Sequence, residues 1–275
     1  MTRISRRFRD LRDRGEKALI LYLTAGDPSL EKTLEIIPAL EAAGADLLEI
    51  GVPFSDPTAD GPIIQAASRR ALENGTTLAG VLDLIAQLRR RSEIPVVLFS
   101  YYNPIWVFGP ERFARDAKSA GVDGVLVADL PLEDAGELRQ YTDPLGLDFI
   151  HLLAPTTGAE RGREIAARAR GFLYYISIVG LTRTAGPELA LLQSGVAGIR
   201  RITDLPLVVG FGLSEPEQVR EVAPLADGVV VGSALVRMIH ELGGRKDGIS
   251  RISEFVYRLK KALGPDQKHL LIVNN

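Results

Sequence analysis

The 275-residue chain has no cysteine, one tryptophan, two methionines and three histidines. Without cysteine there is no disulfide scaffold, zinc finger, iron–sulfur cluster or thiol nucleophile, and the composition suits a reducing compartment. Its seven lysines (17, 32, 118, 246, 260, 261 and 268) all fall outside the ends of the candidate strands, which argues against a Schiff-base aldolase. Of the histidines only His151 lies on a candidate strand, which argues against a zinc-dependent aldolase or hydrolase and suits a satisfied core or near-site position. An excess of one charge is lacking too: 33 Lys and Arg against 35 Asp and Glu leave −2, so nucleic acid is not an expected partner. No apolar run approaches the ~20 residues that span a bilayer, and no apolar signal region opens the chain, so neither membrane nor export is expected.

What is present describes an ordinary globular chain, 46% hydrophobic and 25% charged. A chain of this length buries roughly 75% of its unfolded surface and needs no staple to support a core. Arg3, Arg6, Arg7, Arg9, Arg12 and Arg14 crowd the start. Asp10 and Asp13 interrupt them while Ile4, Phe8 and Leu11 recur at helical spacing, which predicts an amphipathic helix in preference to a transit peptide or a nucleic-acid arm.

Eight short apolar or β-branched runs follow, at 18–23, 46–50, 95–100, 123–128, 148–153, 172–177, 207–210 and 228–231. Stretches with helical periodicity alternate with them, at 30–43, 78–91, 110–120, 133–145, 160–170, 188–201, 216–222 and 234–241. The runs are nearly continuous in hydrophobicity, as parallel strands covered on both faces require. Four segments, at 42–51, 119–131, 145–155 and 224–234, share one pattern: a helix end, a Gly or Ala turn, an Asp, then a strand. No linker divides the chain. Eight βα units predict an α/β fold, a single (β/α)8 barrel over residues 1–275, since a doubly wound sheet has five or six strands. The second run starts at 46 and the third at 95, an interval that marks an insertion, and a smaller excess lies between the sixth and seventh. In a barrel both are loops at the C-terminal face, where sites are built.

Glu49 stands late in the second strand, where a carboxylate is expensive to bury. It either pairs with an arginine on a neighbouring strand or points into a site with its pKa raised toward an acid–base value. The insertion that follows is stiffened by Pro53, Pro57 and Pro62 and carries Asp56 and Asp60. Asp60 either caps the helix starting near Pro62 or forms with Glu49 the paired carboxylates of general acid–base work. Gly210-Phe211-Gly212, with Ser214 and Glu217 at capping-box spacing, and Gly232-Ser233 form glycine turns after the last two strands. They suit phosphate binding by backbone N–H groups, or serve only barrel closure. Tyr22, Phe99, Tyr101, Tyr102, Tyr174 and Phe211 lie at or near strand ends and either fill the core or line a pocket for a flat apolar substrate.

Taken as a set, Tyr22-Leu-Thr-Ala-Gly-Asp-Pro28, the stretch from Glu49 to Pro62, Tyr101-Tyr-Asn-Pro104, Val127-Ala-Asp-Leu-Pro131, Gly210-Phe-Gly212 and Gly232-Ser233 closely resemble the tryptophan synthase alpha-chain family, from about residue 2 to 264. The resemblance implies a cytoplasmic lyase that cleaves indole-3-glycerol phosphate by a retro-aldol reaction into indole and glyceraldehyde 3-phosphate. It also implies a beta-chain partner in an α2β2 heterotetramer, with pyridoxal phosphate in that partner and no cofactor in this chain. Glu49 matches the family's acid/base, and Asp60 the carboxylate that accepts from the indole N–H. Tyr22, Phe99, Leu126 and Phe211 match indole-side positions, with Tyr101 and Tyr174 nearby, while Gly210, Gly212, Gly232 and Ser233 match the phosphate side and Asp56 the loop that meets the beta chain.

The sixth-strand loop departs from the family pattern. Thr182 is retained, but Arg183 stands where the family has a lid glycine. A lid that still closes, with altered coupling to the beta chain, is the expectation; Arg183 either contacts phosphate or weakens that site. Two other activities also remain open: a stand-alone lyase releasing free indole, and a non-catalytic barrel that only activates the beta chain, for which loss of Glu49 or Asp60 is the expected mark.

Overall fold

The computed structural model describes residues 1–176, 187–210 and 212–264. Eight parallel strands close into a barrel in sequence order. They are β1 (Ala18–Thr24), β2 (Leu47–Gly51), β3 (Val96–Ser100), β4 (Gly124–Val127), β5 (Asp148–Leu153), β6 (Leu173–Ile176), β7 (Leu207–Gly210) and β8 (Gly228–Val231). Twelve α-helices accompany them among the described residues: α1 (Arg3–Asp13), α2 (Leu30–Ala42), α3 (Pro62–Glu73), α4 (Leu78–Leu88), α5 (Tyr102–Phe108), α6 (Pro110–Ala120), α7 (Gly136–Thr142), α8 (Ala159–Arg168), α9 (Pro187–Arg200), α10 (Pro216–Val222), α11 (Ser233–Leu242) and α12 (Gly248–Leu263). The (β/α)8 expectation therefore holds, and the long interval after β2 is a loop followed by the additional helix α3. Helices α5 and α12 stand outside the expected set, although Ile252, Val256, Leu259 and Leu263 recur at helical spacing on α12 and are all buried.

Alternation along each strand divides the core in two. Leu19, Leu21, Leu48, Ile50, Leu98, Val125, Phe149, Leu173, Val209 and Val229 face outward and pack under the helices. Ile20, Tyr22, Leu47, Val97, Leu126, Ile150, Tyr174, Val208 and Val230 face inward with the buried face of α1, made of Ile4, Phe8 and Leu11. Helix α1, capped by Thr2 through Ser5 N, closes the N-terminal end of the barrel by this face, and Phe8 meets Phe172 at 5.6 Å between ring centroids.

The repeated Asp has the same structural task in most copies. Asp46 accepts from Leu19 N at 2.8 Å and from Lys260 Nζ at 2.6 Å. Asp123 accepts from Val96 N at 2.9 Å and Arg89 Nη2 at 2.8 Å, and Asp227 from Leu207 N at 2.8 Å. Each aspartate thus satisfies an N–H at the start of the preceding strand and draws in a cation from the shell, which for Asp227 is Arg200 at 2.6 Å. Asp148 instead accepts from Thr2 Oγ1 at 2.5 Å, tying α1 to the barrel. These carboxylates stand at the strands' N-terminal ends, the face concerned with stability and not with chemistry.

Candidate active site

At the opposite end of the barrel Glu49 projects inward from β2, directly opposite Tyr22 of β1 in the ladder. Its side chain is 1% exposed, and among the described residues its Oε1 has no hydrogen-bond partner. Burial alone pushes its pKa from 4.5 up to about 8, because nothing there compensates the lost hydration of the anion. The arginine partner that would have made Glu49 a structural residue does not appear among the described residues.

Asp60 reaches the same cavity from the loop after β2. The N-cap of α3 is Gly61, which makes no side-chain cap, so Asp60 does not serve as one. Burial raises the Asp60 pKa from 3.8 to about 6, and a hydrogen bond from the Tyr101 hydroxyl holds the rise back. The same hydroxyl accepts from Ala59 N at 2.9 Å, and the Tyr101 ring packs on Phe54 at 5.3 Å, so one phenol anchors both the loop and its carboxylate.

Glu49 and Asp60 line one cavity of about 330 Å³ together with Tyr22, Phe99, Leu152, Tyr174 and Ile176. Tyr22 and Phe99 meet edge to face, with ring centroids 5.5 Å apart and planes at 82°. Gly51 makes room for this arrangement, since a Cβ there would lie 2.2 Å from the Tyr22 hydroxyl. The remaining rim includes Gly212, Gly232 and Ser233, the last opening the ten-residue helix α11, whose first-turn N–H groups receive no side-chain cap from Gly232.

Not every expected residue has the expected place. Leu126 lies wholly buried in the barrel interior beneath the cavity and Tyr101 behind the Asp60 loop, so neither is on the cavity lining. Gly210 is also absent from that lining; it clears space for Tyr174, whose hydroxyl would sit 2.5 Å from a Cβ at this position. The cap of α10 is Glu215 with Gln218, one residue later than the expected Ser214 and Glu217, and Gln218 Oε1 accepts from Glu215 N at 3.0 Å. His151 faces the outer layer with its Nε2 unpartnered among the described residues, not the satisfied contact expected, and burial lowers its pKa to about 4. Asp56 is exposed at the loop tip. Phe211, Thr182 and Arg183 lie outside the described residues. Leu152, Ile176, Ile64 and Ala128 join the lining without having been expected; for Leu152 and Ile176 the available signal was strand alternation in step with Ile150 and Tyr174. Among the described residues no three His, Asp or Glu side chains gather to hold a metal ion, and no helix is long and apolar enough to cross a membrane.

Fold and site together define a (β/α)8 barrel with two largely buried carboxyl groups of raised pKa and a glycine-bearing rim on one cavity at its C-terminal mouth. Residues 8–264 match the family model described as tryptophan synthase alpha chain. The chain is 51% identical over 263 residues to the tryptophan synthase alpha chain of Citrifermentans bemidjiense, covering 96% of this chain and 98% of that one. It is 49% identical over 264 residues to that of Geobacter sulfurreducens, covering 96% and 100%. The crystal structure of tryptophan synthase subunit alpha from Legionella pneumophila superposes with a TM-score of 0.89 at 39% identity, covering 96% of this chain and 98% of the other. The chain belongs to the tryptophan synthase alpha-chain family, and its activity is the lyase activity of that family.

Proposed function

We propose that Glu49 and Asp60 carry the retro-aldol cleavage of indole-3-glycerol phosphate in this chain, Glu49 in its acid form and Asp60 as the anion. The observation that supports this most directly is that the two groups share one cavity while burial raises their pKa values to different extents, to about 8 for Glu49 and about 6 for Asp60. Between those values the pair is populated as one acid and one base. Glu49 gives its proton to indole C3, and the positive charge that develops at the ring nitrogen is held by Asp60 through the N–H. The Glu49 carboxylate then takes the proton of the glycerol hydroxyl as the carbon–carbon bond breaks; its electron pair returns to the ring, indole leaves neutral, and Glu49 ends protonated as it began.

Tyr22, Phe99 and Tyr174 provide the flat apolar wall for the indole, with Leu126 supporting it from below and Phe211 added by sequence correspondence. Gly212, Gly232 and Ser233 offer the phosphate backbone N–H groups and the α11 N-terminus, while Gly210 acts by admitting Tyr174. Thr182 and Arg183 belong to the lid. The chain itself uses carboxylates and main chain and needs no cofactor; pyridoxal phosphate belongs to the partner.

Family membership implies a beta-chain partner and a small-molecule substrate, and we place the chain in an α2β2 assembly in the cytoplasm. The partner surface is the barrel mouth around Asp56. Trp106, 58% exposed, and Val107, 77% exposed, stand on α5 immediately after β3, at the same end of the barrel, an apolar pair of the kind an interface covers.

The test is indole release from indole-3-glycerol phosphate by the purified chain, with and without a beta chain. Glu49→Gln should lower kcat by about 10²–10⁴-fold, the usual share of general acid–base catalysis. Cleavage at the native rate by Glu49→Gln, or none by the native chain with its partner present, would overturn the reading.

A further inference from the structure

Helix α3 fully buries only small side chains, Ala67, Ser68 and Ala71, while Ile63 and Ile64 near its start pack half-buried against the inner core. Beyond Ile64 the small face makes no deep ridge-and-groove contacts, so packing alone fixes the height of the rest of the helix only weakly. Two polar ties determine it instead. Arg70 donates from Nε to Asp27 Oδ1 at 2.9 Å and from Nη2 to Asp27 Oδ2 at 2.7 Å, with the Asp27 side chain 2% exposed. Asn74, the C-cap of α3, donates from Nδ2 to Pro28 O at 2.6 Å. The loop between β1 and α2 therefore grips the C-terminal half of α3 through adjacent residues, Asp27 and Pro28.

At the other end of the helix Gln65 Nε2 donates to Asp60 O at 2.8 Å and to Pro57 O at 3.4 Å. Gly61, Pro62 and Ile64, the cavity-lining residues in this stretch, lie between the two ends of this tie. Asp60 is thus reached from two directions: its carboxyl by Tyr101, and its backbone by a helix whose position is set about ten residues away. A two-pronged Arg–carboxylate pair suits that task because its planar fork fixes direction as well as distance, which a lysine ammonium cannot reproduce.

We propose that Asp27 and Arg70 are positioning residues for the lyase reaction, holding α3 at the height from which Gln65 places Asp60 against the ring nitrogen of the substrate; this rests on the reading of Asp60 given above. Neither residue touches substrate. Their effect is on orientation, where a displacement of about 1 Å can cost on the order of 10²-fold in rate.

The experiment compares indole-3-glycerol phosphate cleavage by the full chain with Arg70→Lys, Gln65→Leu, Asp60→Asn and the Gln65→Leu/Asp60→Asn double variant. Gln65 is exposed, so its variant tests the tie even where a change at the buried pair prevents folding. The expected result is a fall in kcat of about tenfold or more for Arg70→Lys and Gln65→Leu, with KM and the inhibition constant of glycerol 3-phosphate within about twofold of native. In the Asp60→Asn background Gln65→Leu should cost nothing further, because the group it positions is gone. Native kcat in both single variants, or the same loss from Gln65→Leu with and without the Asp60 carboxylate, would overturn the proposal. Full activity of Asp60→Asn would overturn the reading of Asp60 and the positioning role with it.

Discussion

Tyr22 stands directly opposite Glu49 in the β1–β2 ladder, and both side chains point into the barrel. The pairing surrounds the carboxyl with a phenol that is itself buried and with pKa pushed well up, chiefly by that burial. Glu49 is therefore kept in low-dielectric surroundings with no cation beside it among the described residues, the condition that raises its pKa above the usual carboxyl range.

A plot of kcat/KM against pH should be a bell with limbs near the two carboxyl values, about 6 for Asp60 and about 8 for Glu49. Activity falls below the first as Asp60 takes up its proton and above the second as Glu49 loses its own. A flat profile from pH 5 to 9 would remove both assignments.

The acid limb needs separating from the substrate phosphate, whose second ionisation also lies at about 6. Tyr101→Phe removes the hydrogen bond that restrains the Asp60 pKa, so the acid limb of the variant should move to higher pH while phosphate titration stays in place. An unmoved limb assigns it to the substrate.

Glu49 also makes stability depend on pH. The unfolded chain releases this proton near 4.5 and the native chain near 8. Between those values the native state holds more protons, so the stability contribution falls as pH rises and the penalty is complete above about 8. Glu49→Gln should raise the melting temperature at pH 8.5 and leave it unchanged at pH 4.5; each 1 kcal/mol recovered corresponds to about 2–4 °C in a protein of roughly this size. A variant that melts with the native chain at pH 8.5 would show that burial does not raise the Glu49 pKa.

Phe8 is 5% exposed against Phe172, at the end of the barrel away from the chemistry. Phe8→Ala should cost about 3–5 kcal/mol of unfolding free energy and leave kcat/KM unchanged below its melting range. Denaturant titration alongside indole release checks both halves, and a loss of activity without loss of stability would contradict the division of the two barrel ends.

Arg183→Gly restores the residue of the family pattern at this position. If the arginine contacts phosphate, KM for the substrate should rise in the variant with kcat little changed. Unchanged affinity together with unchanged activation by a beta chain would remove any special role for this residue.

The architecture was readable in one dimension because its signals are local. Eight apolar runs alternating with amphipathic stretches reflect a repeated unit that buries strands on both faces, and Ile4, Phe8 and Leu11 show by spacing alone which side of α1 is buried. The sequence also carried the two acids of the candidate site, since Glu49 through Pro62 places one acid, a shaped loop and a second acid in one continuous stretch, and both line one cavity. What it could not supply was the environment of each acid. Whether Glu49 meets an arginine or is left with an unpartnered oxygen depends on which elements converge from Tyr22 on β1 to Tyr174 on β6, residues far apart along the chain. Gly210 shows the same limit: nothing in its glycine turn reveals that the position also gives clearance to Tyr174. The grip of Asp27 on Arg70 was invisible for the same reason, because two residues 43 apart become partners only when the barrel closes and burial excludes the water that would otherwise solvate each alone.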